Sequence, residues 1–192
     1  MFNKVLCFDT ETTGLKSRNY DPYIIQLSWI TFNNLSVYTL DTYYIKLNNN
    51  VEIHPEAQKV HNIDKEYLFK YGKNIEYVLR KFIKELLQVD LIIGHNINFD
   101  MTMLMLELNR YSINDDILNI IKNIPLYCTM KHGTNICSII KKNKYNKSYK
   151  KKPKLNELYK TLYTEECNLP YHNALSDTLI TYACYYKMQL II

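Results

Sequence analysis

Two carboxylates, Asp9 and Glu11, end the apolar run Val5-Leu6-Cys7-Phe8 and stand directly before a Thr12-Thr13-Gly14 turn. Such a run reads as a buried strand, and in an extended chain residues two apart share a face. Asp9 and Glu11 can therefore converge on one point. Held together they repel, an arrangement that persists mainly where a cation neutralises it. An all-oxygen donor set favours Mg²⁺ or Mn²⁺ over zinc. The plain alternative is a strand that ends in a polar turn, with Asp9 capping the next segment. Near the other end of the chain, His172 stands just before an expected helix and Asp177 one turn inside it. Residues at that separation diverge on a helix, so the pair converges only if His172 lies on the preceding loop. Histidine, as a residue type, can take a proton from water near neutral pH. The alternative here is a surface histidine and a first-turn aspartate favoured by the helix dipole.

Strands and helices must position these groups. After the first strand, residues 23–32 and 35–47 are two β-rich runs separated by Asn33-Asn34, a pair suited to a tight turn. Together they predict a three-stranded antiparallel meander. Pro55 opens and Asn62 follows a short helical turn. Residues 74–88 carry Ile75, Val78, Leu79, Phe82, Ile83, Leu86 and Leu87 on one helical stripe, with Asn74 as N-cap. The run 89–94 reads as a strand buried on both faces, and 98–110 as a helix with Asp100 in its first turn. Strand, tight turn and helix in this order place Asp100 just beyond the carboxyl end of a parallel strand, where open α/β sheets gather their sites. Residues 126–129 read as a short strand. Further helices are expected over 131–140, 155–162 and 173–188, with no internal repeat and no second-domain boundary.

Composition narrows the class. A chain of 192 residues, 47% hydrophobic and 22% charged, suits one well-buried domain, here taken as 1–192. It holds no apolar run of bilayer-spanning length, and Met-Phe-Asn-Lys leads into a strand, not a signal peptide. The expectation is a soluble, intracellular protein with no membrane partner. Five cysteines at irregular spacing, without a Cys-x-x-Cys pair, argue against a zinc site and a disulfide framework. Residues 141–154 contain eight lysines and no acid; without those eight, the net charge of +5 becomes −3 for the rest of the chain. That stretch is expected as a loop. Lys144, Lys147, Lys150, Lys151 and Lys152 are candidate contacts to a phosphate backbone, and Tyr145 and Tyr149 could stack on unpaired bases. The alternative is a solvated, mobile charge run.

Three segments carry a resemblance: Asp9-x-Glu11-Thr12-Thr13-Gly14, Gly94-His95-Asn96-x-x-Phe99-Asp100 and His172-x-Ala174-x-x-Asp177. In order and residue type they resemble the three motifs of the DEDDh, or DnaQ-like, 3′–5′ exonucleases. Ala57-x-x-Val60-His61-x-Ile63, Cys128-Thr129-Met130 and Lys154-Leu155-x-x-Leu158-Tyr159 match in lesser ways, and one departure is Asn62 where the family usually has glycine. The resemblance implies a ribonuclease-H-like α/β fold with a mixed five-stranded central sheet, an antiparallel meander plus parallel strands, flanked by helices. It implies two Mg²⁺ or Mn²⁺ ions, with Asp9 bridging both, Glu11 and Asp177 completing one site and Asp100 holding the other, and His172 as general base. Two ions about 4 Å apart stabilise the attacking and leaving oxygens of an in-line displacement. It further implies substrate contacts at Thr10, Thr12, Leu15, Asn96 and Phe99, although Phe99 also reads as a core residue anchoring its helix. His61 and His95 read as structural hydrogen-bonders.

The expected activity is removal of nucleoside 5′-monophosphates from 3′ ends of single-stranded nucleic acid, DNA favoured, in proofreading, repair or turnover. No polymerase or helicase region accompanies the motifs, so proofreading would call for a separate polymerase or repair partner. The alternatives are an exoribonuclease of the oligoribonuclease or RNA-trimming type, a non-catalytic nucleic-acid-binding module on the same fold, and a structural interaction protein. Neither of the last two explains the full acidic set together with His172.

Overall fold

The computed structural model describes residues 3–34 and 36–191. In chain order its elements are β1 (Val5–Thr12), β2 (Ile24–Phe32), β3 (Val37–Tyr44), α1 (Pro55–His61), α2 (Lys65–Tyr71), α3 (Ile75–Leu86) and β4 (Leu91–Gly94). Next come α4 (Ile97–Arg110), α5 (Asp115–Asn123), β5 (Leu126–Cys128), α6 (Thr129–Cys137), β6 (Ile140–Lys142), β7 (Ser148–Lys150), α7 (Leu155–Tyr163) and α8 (Ala174–Gln189). Five strands form one mixed sheet in the order β3-β2-β1-β4-β5. β1–β2 and β2–β3 pair antiparallel, β1–β4 and β4–β5 parallel, which is the expected meander joined to parallel strands.

The central position of β1 and β2 explains their composition. Every residue of β2 is buried, as is each of the first four of β1, so both faces of the sheet must be covered. Alternation along β1 sorts its side chains. Leu6 and Phe8 join Trp29, Phe82 and Val78 of α3, and Leu104 and Leu108 of α4. Val5 and Cys7 take the other face with Ile30, Phe32, Ile93 and Tyr185 of α8. The core thus consists of two layers separated by one sheet, and each layer reports which helix a β1 side chain meets.

Local signals account for most boundaries. Asn74 caps α3 by accepting from the N–H groups of Glu76 and Tyr77 at 2.8 and 3.3 Å, as its position before the apolar stripe predicts. Pro55 starts α1, and Asn62 ends it in the left-handed conformation at φ 57°. Asn33 closes the β2–β3 connection, its N–H donating to the Ser36 carbonyl at 3.0 Å. The expected start of β3 at Leu35 lies outside the described residues; the strand itself runs over Val37–Tyr44.

Three differences from expectation have physical causes. The helix expected over 131–140 is Thr129–Cys137: buried Thr129 bonds the Gly94 carbonyl, and Ser138 turns left-handed at φ 46°. The lysine-rich stretch is not an open loop but an antiparallel hairpin, β6–β7, because Asn143 and Asn146 supply a turn within it. Helices α2 and α5 were not expected. Their caps, Asp64 and Asn114, are visible in the sequence, but each buries only one or two residues, too few for a stripe.

Asn62 tests the turn chemistry. Non-glycine residues in a left-handed conformation cost roughly 1–2 kcal/mol, with Asn among the least penalised. Asn62→Gly should leave urea-unfolding stability unchanged or slightly raised, whereas Asn62→Val should lose about 1–2 kcal/mol.

Candidate active site

The alternation of β1 continues into its polar end. Asp9 and Glu11 follow Val5 and Cys7 onto the α8 face, and there they meet Asp177 in the first turn of α8; carboxylate oxygens of the three lie within 4.8 Å of one another. A bulge between Glu11 and Thr12 ends the regular pairing with β2 at this point. The start of α8 is fixed from both sides. Asn173 caps it by accepting from the Leu175 and Ser176 N–H groups, and the Ala174 N–H donates to Oε1 of buried Gln26 on β2 at 3.1 Å. Gln26 was not singled out by sequence reasoning, and its burial within an apolar strand is the signal that marks it.

Asp100 comes from the opposite face. Thr10, of the other parity, donates both its N–H and its Oγ1–H to Asp100 Oδ1, at 3.1 and 2.8 Å. Asp100 is 2% exposed and stands outside the tight group of three, though its charge is felt by Asp9 and Glu11. Gly94 lets the chain turn into α4, since a Cβ there would come within 2.6 Å of the Ile97 side chain. Thr10, expected as a substrate contact, has its hydroxyl engaged with Asp100, so only its remaining surface faces the neighbouring cavity.

The electrostatics of the four acids are unfavourable as they stand. Burial raises Asp9 well above the usual carboxylate range, and Asp100, Asp177 and Glu11 raise it further. Burial, then the charges of Asp177 and Asp100, pushes Glu11 up to about 8. Asp100 rises to about 7 through burial, opposed by the two Thr10 hydrogen bonds. Asp177 rises to about 6, again through burial, opposed by the His172 N–H. Asp177 Oδ2 accepts that N–H at 3.1 Å, while Oδ1 is buried without a hydrogen-bond partner. An orphaned carboxylate oxygen among three converging, mutually repelling acids fits a hard divalent cation.

The histidines separate into two kinds. His172 lies on the loop before α8 in the left-handed conformation at φ 62°, exposed, its ring without a hydrogen-bond or ion-pair partner among the described residues. His95 is held on both sides: Nε2 donates to the Pro153 carbonyl at 3.2 Å and Nδ1 lies 3.0 Å from Thr129 Oγ1. Burial lowers His95 to about 4, so the ring is neutral. His61 Nδ1 accepts the Ile63 N–H at 3.0 Å, and burial lowers its pKa as well. The expected structural roles of His61 and His95 agree with these bonds.

Beside the carboxylates opens a cavity of about 580 Å³. Glu11, Thr12, Leu15 and Phe99 line it, Leu15 being 77% exposed and Phe99 packed at once against the cavity and the core. The Thr12 hydroxyl donates to the Gly14 carbonyl at 2.7 Å. Asn96 is not in the lining; it is exposed at the left-handed N-terminus of α4. Sequence reasoning did not mark Tyr20, His54 and Glu56, which also line the cavity, and marked Val60 only as part of a lesser motif match. Tyr20 and His54 meet edge to face with ring centroids 4.7 Å apart. The signal for α1 was present, since Glu56, Ala57 and Val60 fall on one helical face beyond Pro55. None of Lys144, Lys147, Lys150, Lys151 and Lys152 lines the cavity.

Comparison with known proteins agrees with this geometry. A family profile described as Exonuclease (RNase_T) matches residues 6–185. The chain belongs to this exonuclease family, that of the DEDDh-type 3′–5′ exonucleases of the ribonuclease-H-like superfamily. A search of curated protein sequences finds no match. Among solved structures, Escherichia coli Exonuclease I in complex with a dT13 oligonucleotide aligns with a TM-score of 0.74 and 18% identity, covering 96% of this chain and 40% of that one. Exonuclease I from Methylocaldum szegediense aligns with a TM-score of 0.72 and 16% identity, covering 97% and 40%. The chain spans about two fifths of these proteins, and at such identities they show a shared fold. Among the described residues no helix is long and apolar enough to cross a membrane.

The raised carboxylates set a pH dependence whose sign is fixed. In chelator the folded chain holds protons that the unfolded chain releases near pH 4, so these groups cost stability as pH rises towards about 6 to 8. Asp177→Asn keeps an acceptor for the His172 N–H and removes a charge. In chelator it should be more stable than wild type at pH 8, by on the order of 1–2 kcal/mol, and equal to it near pH 4. The difference between the two proteins isolates the carboxylate from His61 and His95, whose burial acts in the opposite direction. Millimolar Mg²⁺ or Mn²⁺ should stabilise wild type at pH 8 and do less for the variant; identical thermal curves in chelator would count against the repulsion described here.

Proposed function

We propose that the chain is a metal-dependent exonuclease that removes nucleoside 5′-monophosphates one at a time from the 3′ ends of single-stranded nucleic acid, with DNA favoured. The observation that carries this reading is the convergence of Asp9, Glu11 and Asp177 beside a cavity of nucleotide size. In this reading Asp9, Glu11 and Asp177 hold one Mg²⁺ or Mn²⁺, and Asp100, with Asp9, holds a second. Two such ions, when bound, supply a water of lowered pKa and charge stabilisation for the leaving oxygen. The preference for DNA rests on the fold shared with Exonuclease I, whose structures hold dT13 and dA16.

The protein's own groups have separable tasks. The cavity receives the terminal nucleotide, with Leu15 and Phe99 offering apolar surface to its base and the backbone around Thr12 offering polar contacts; Asn96, outside the cavity at the turn opening α4, is the candidate contact to the next nucleotide. His172, exposed and free of internal partners, takes the proton of the attacking water and returns it to solvent. The left-handed backbone at His172 and the bond from its N–H to Asp177 support this role, because they hold its loop against the first turn of α8. Thr10 is a positioning residue for Asp100. A role in proofreading or repair would run through a separate polymerase or repair partner.

The test is digestion of matched 3′- and 5′-labelled single-stranded DNA and RNA with Mg²⁺, Mn²⁺ or chelator. Wild type should shorten both polymers only from the 3′ end and only with metal, DNA faster. Asp9→Ala and Asp177→Ala should abolish cleavage without unfolding, and His172→Ala should lower kcat by about 10²–10⁴ while leaving metal-induced stabilisation intact. Full turnover in either aspartate variant would remove the site assignment, and faster RNA digestion would reverse the substrate preference.

A further inference from the structure

Catalysis on a polyanion leaves a problem of capture that the acidic site does not solve. Outside residues 141–154 the chain has a net charge of −3, and inside them eight lysines stand without an acid. Five of those lysines, Lys141, Lys142, Lys144, Lys147 and Lys150, are displayed on a folded element. In β6–β7, Ile140 pairs with Lys150, Lys141 with Tyr149 and Lys142 with Ser148. Asn143 Oδ1 closes the tip by accepting from the N–H groups of Tyr145 and Lys147, at 2.9 and 3.1 Å. The lysines are not equivalent. Lys150 is held by Asn135 at 3.1 Å and Lys151 by both Glu157 oxygens at 2.5 and 2.7 Å, so these two, expected as phosphate contacts, are already engaged. Lys141, Lys142 and Lys147 are exposed, their side chains without a hydrogen bond or ion pair among the described residues, and Lys144 meets only the Tyr145 ring, 5.0 Å from its centroid. Tyr145 itself is 70% exposed at the tip.

The root of the hairpin is tied to the site. The Lys151 N–H donates to the Ile139 carbonyl at 2.8 Å, and two residues on, the Pro153 carbonyl accepts from His95. His95 stands between Gly94, the last residue of β4, and Asn96, which opens the helix bearing Asp100. One hydrogen bond therefore joins the basic element to the sheet edge where the carboxylates gather. A solvated charge run has no need of such an anchor.

We propose that the β6–β7 hairpin is a backbone-binding arm for single-stranded polynucleotide, taking phosphates to the 5′ side of the reacting end through Lys141, Lys142, Lys144 and Lys147, with Tyr145 stacking on an unpaired base. The polarity rests on the exonuclease reading, because a 3′ end seated in the cavity leaves only upstream chain to reach the arm. Binding is then length-dependent and salt-sensitive, whereas chemistry on the terminal linkage is independent of the arm.

Fluorescence anisotropy in chelator tests this without turnover, using 5′-labelled single strands that are either long or three to four nucleotides in length. Replacing the four lysines with glutamine, which breaks no ion pair among the described residues, should weaken binding of the long strand about tenfold or more at low salt. The same change should flatten its log–log salt slope by up to about 3, at about 0.7 per phosphate contact. The short strand should bind both proteins alike. Tyr145→Ala should cost the long strand about fivefold with the slope unchanged, because stacking is not ionic. An unchanged slope in the lysine variant, or equal losses on long and short strands, overturns the arm; a larger loss on duplex than on single strand overturns the choice of partner. Metal-dependent hydrolysis of the p-nitrophenyl ester of thymidine 5′-monophosphate reads the site alone. Its absence in wild type would remove the exonuclease reading while the binding data still decided the arm.

Discussion

The burial of four acids at one end of a sheet, with repulsion among their carboxylates added to it, is the constraint on which the rest of this structure depends. Burial raises every one of them, and for Asp9 and Glu11 the neighbouring carboxylates add to it. In their charged form these carboxylates cost stability, which the donors from Thr10 and His172 offset in part. The cluster persists because the strands and helices that carry it are held elsewhere, by two apolar layers on either side of β1 and β2. A rigid scaffold with an electrostatically strained centre is what a divalent-cation site needs, since the cation then supplies the missing interaction.

The scaffold holds the acids through polar bonds made at the sheet's carboxyl edge. Thr10 gives two donors to Asp100, Gln26 ties the start of α8 to β2, and the His172 N–H bonds Asp177. Two of these three, the Thr10 and Gln26 bonds, cross between elements far apart in sequence. The two faces of β1 thereby divide the acidic set, three carboxylates on the α8 side and one reached through Thr10 on the α4 side. This division gives a physical basis for two metal positions of different character within the proposed mechanism.

Around the centre, the remaining surface is specialised by distance. In the proposed mechanism the cavity wall from α1 and the Gly14–Tyr20 turn would offer apolar and aromatic contact to one nucleotide, and the hairpin, rooted through His95, positive charge to the nucleotides beyond it. On that reading an acidic reaction centre and a basic capture surface on one chain keep the two electrostatic demands of a nuclease apart. The neutral state of His95 suits its place between them, because a buried imidazolium would add an unpaired charge beside the helix that carries Asp100.

Much of this was legible in the sequence because the signals are local. Alternation in β1, the apolar stripe of α3, the cap Asn74 and the left-handed Asn62 all depend on neighbours within a few residues. The order of the motifs carried the family, and the parity of Asp9 and Glu11 carried their convergence. What the sequence left undecided depends on contacts between distant segments. No local pattern tells that Thr10 spends its hydroxyl on Asp100, or that Lys150 and Lys151 are engaged by Asn135 and Glu157. The lysine run read as loop because like charges disfavour compact structure; its hairpin forms where Asn143 and Asn146 close a turn and Pro153 is anchored to His95. The sequence by itself determined which residue types reach the sheet edge, and only tertiary structure decided which of them touch, because touching is set by packing across the sheet and not by spacing along the chain.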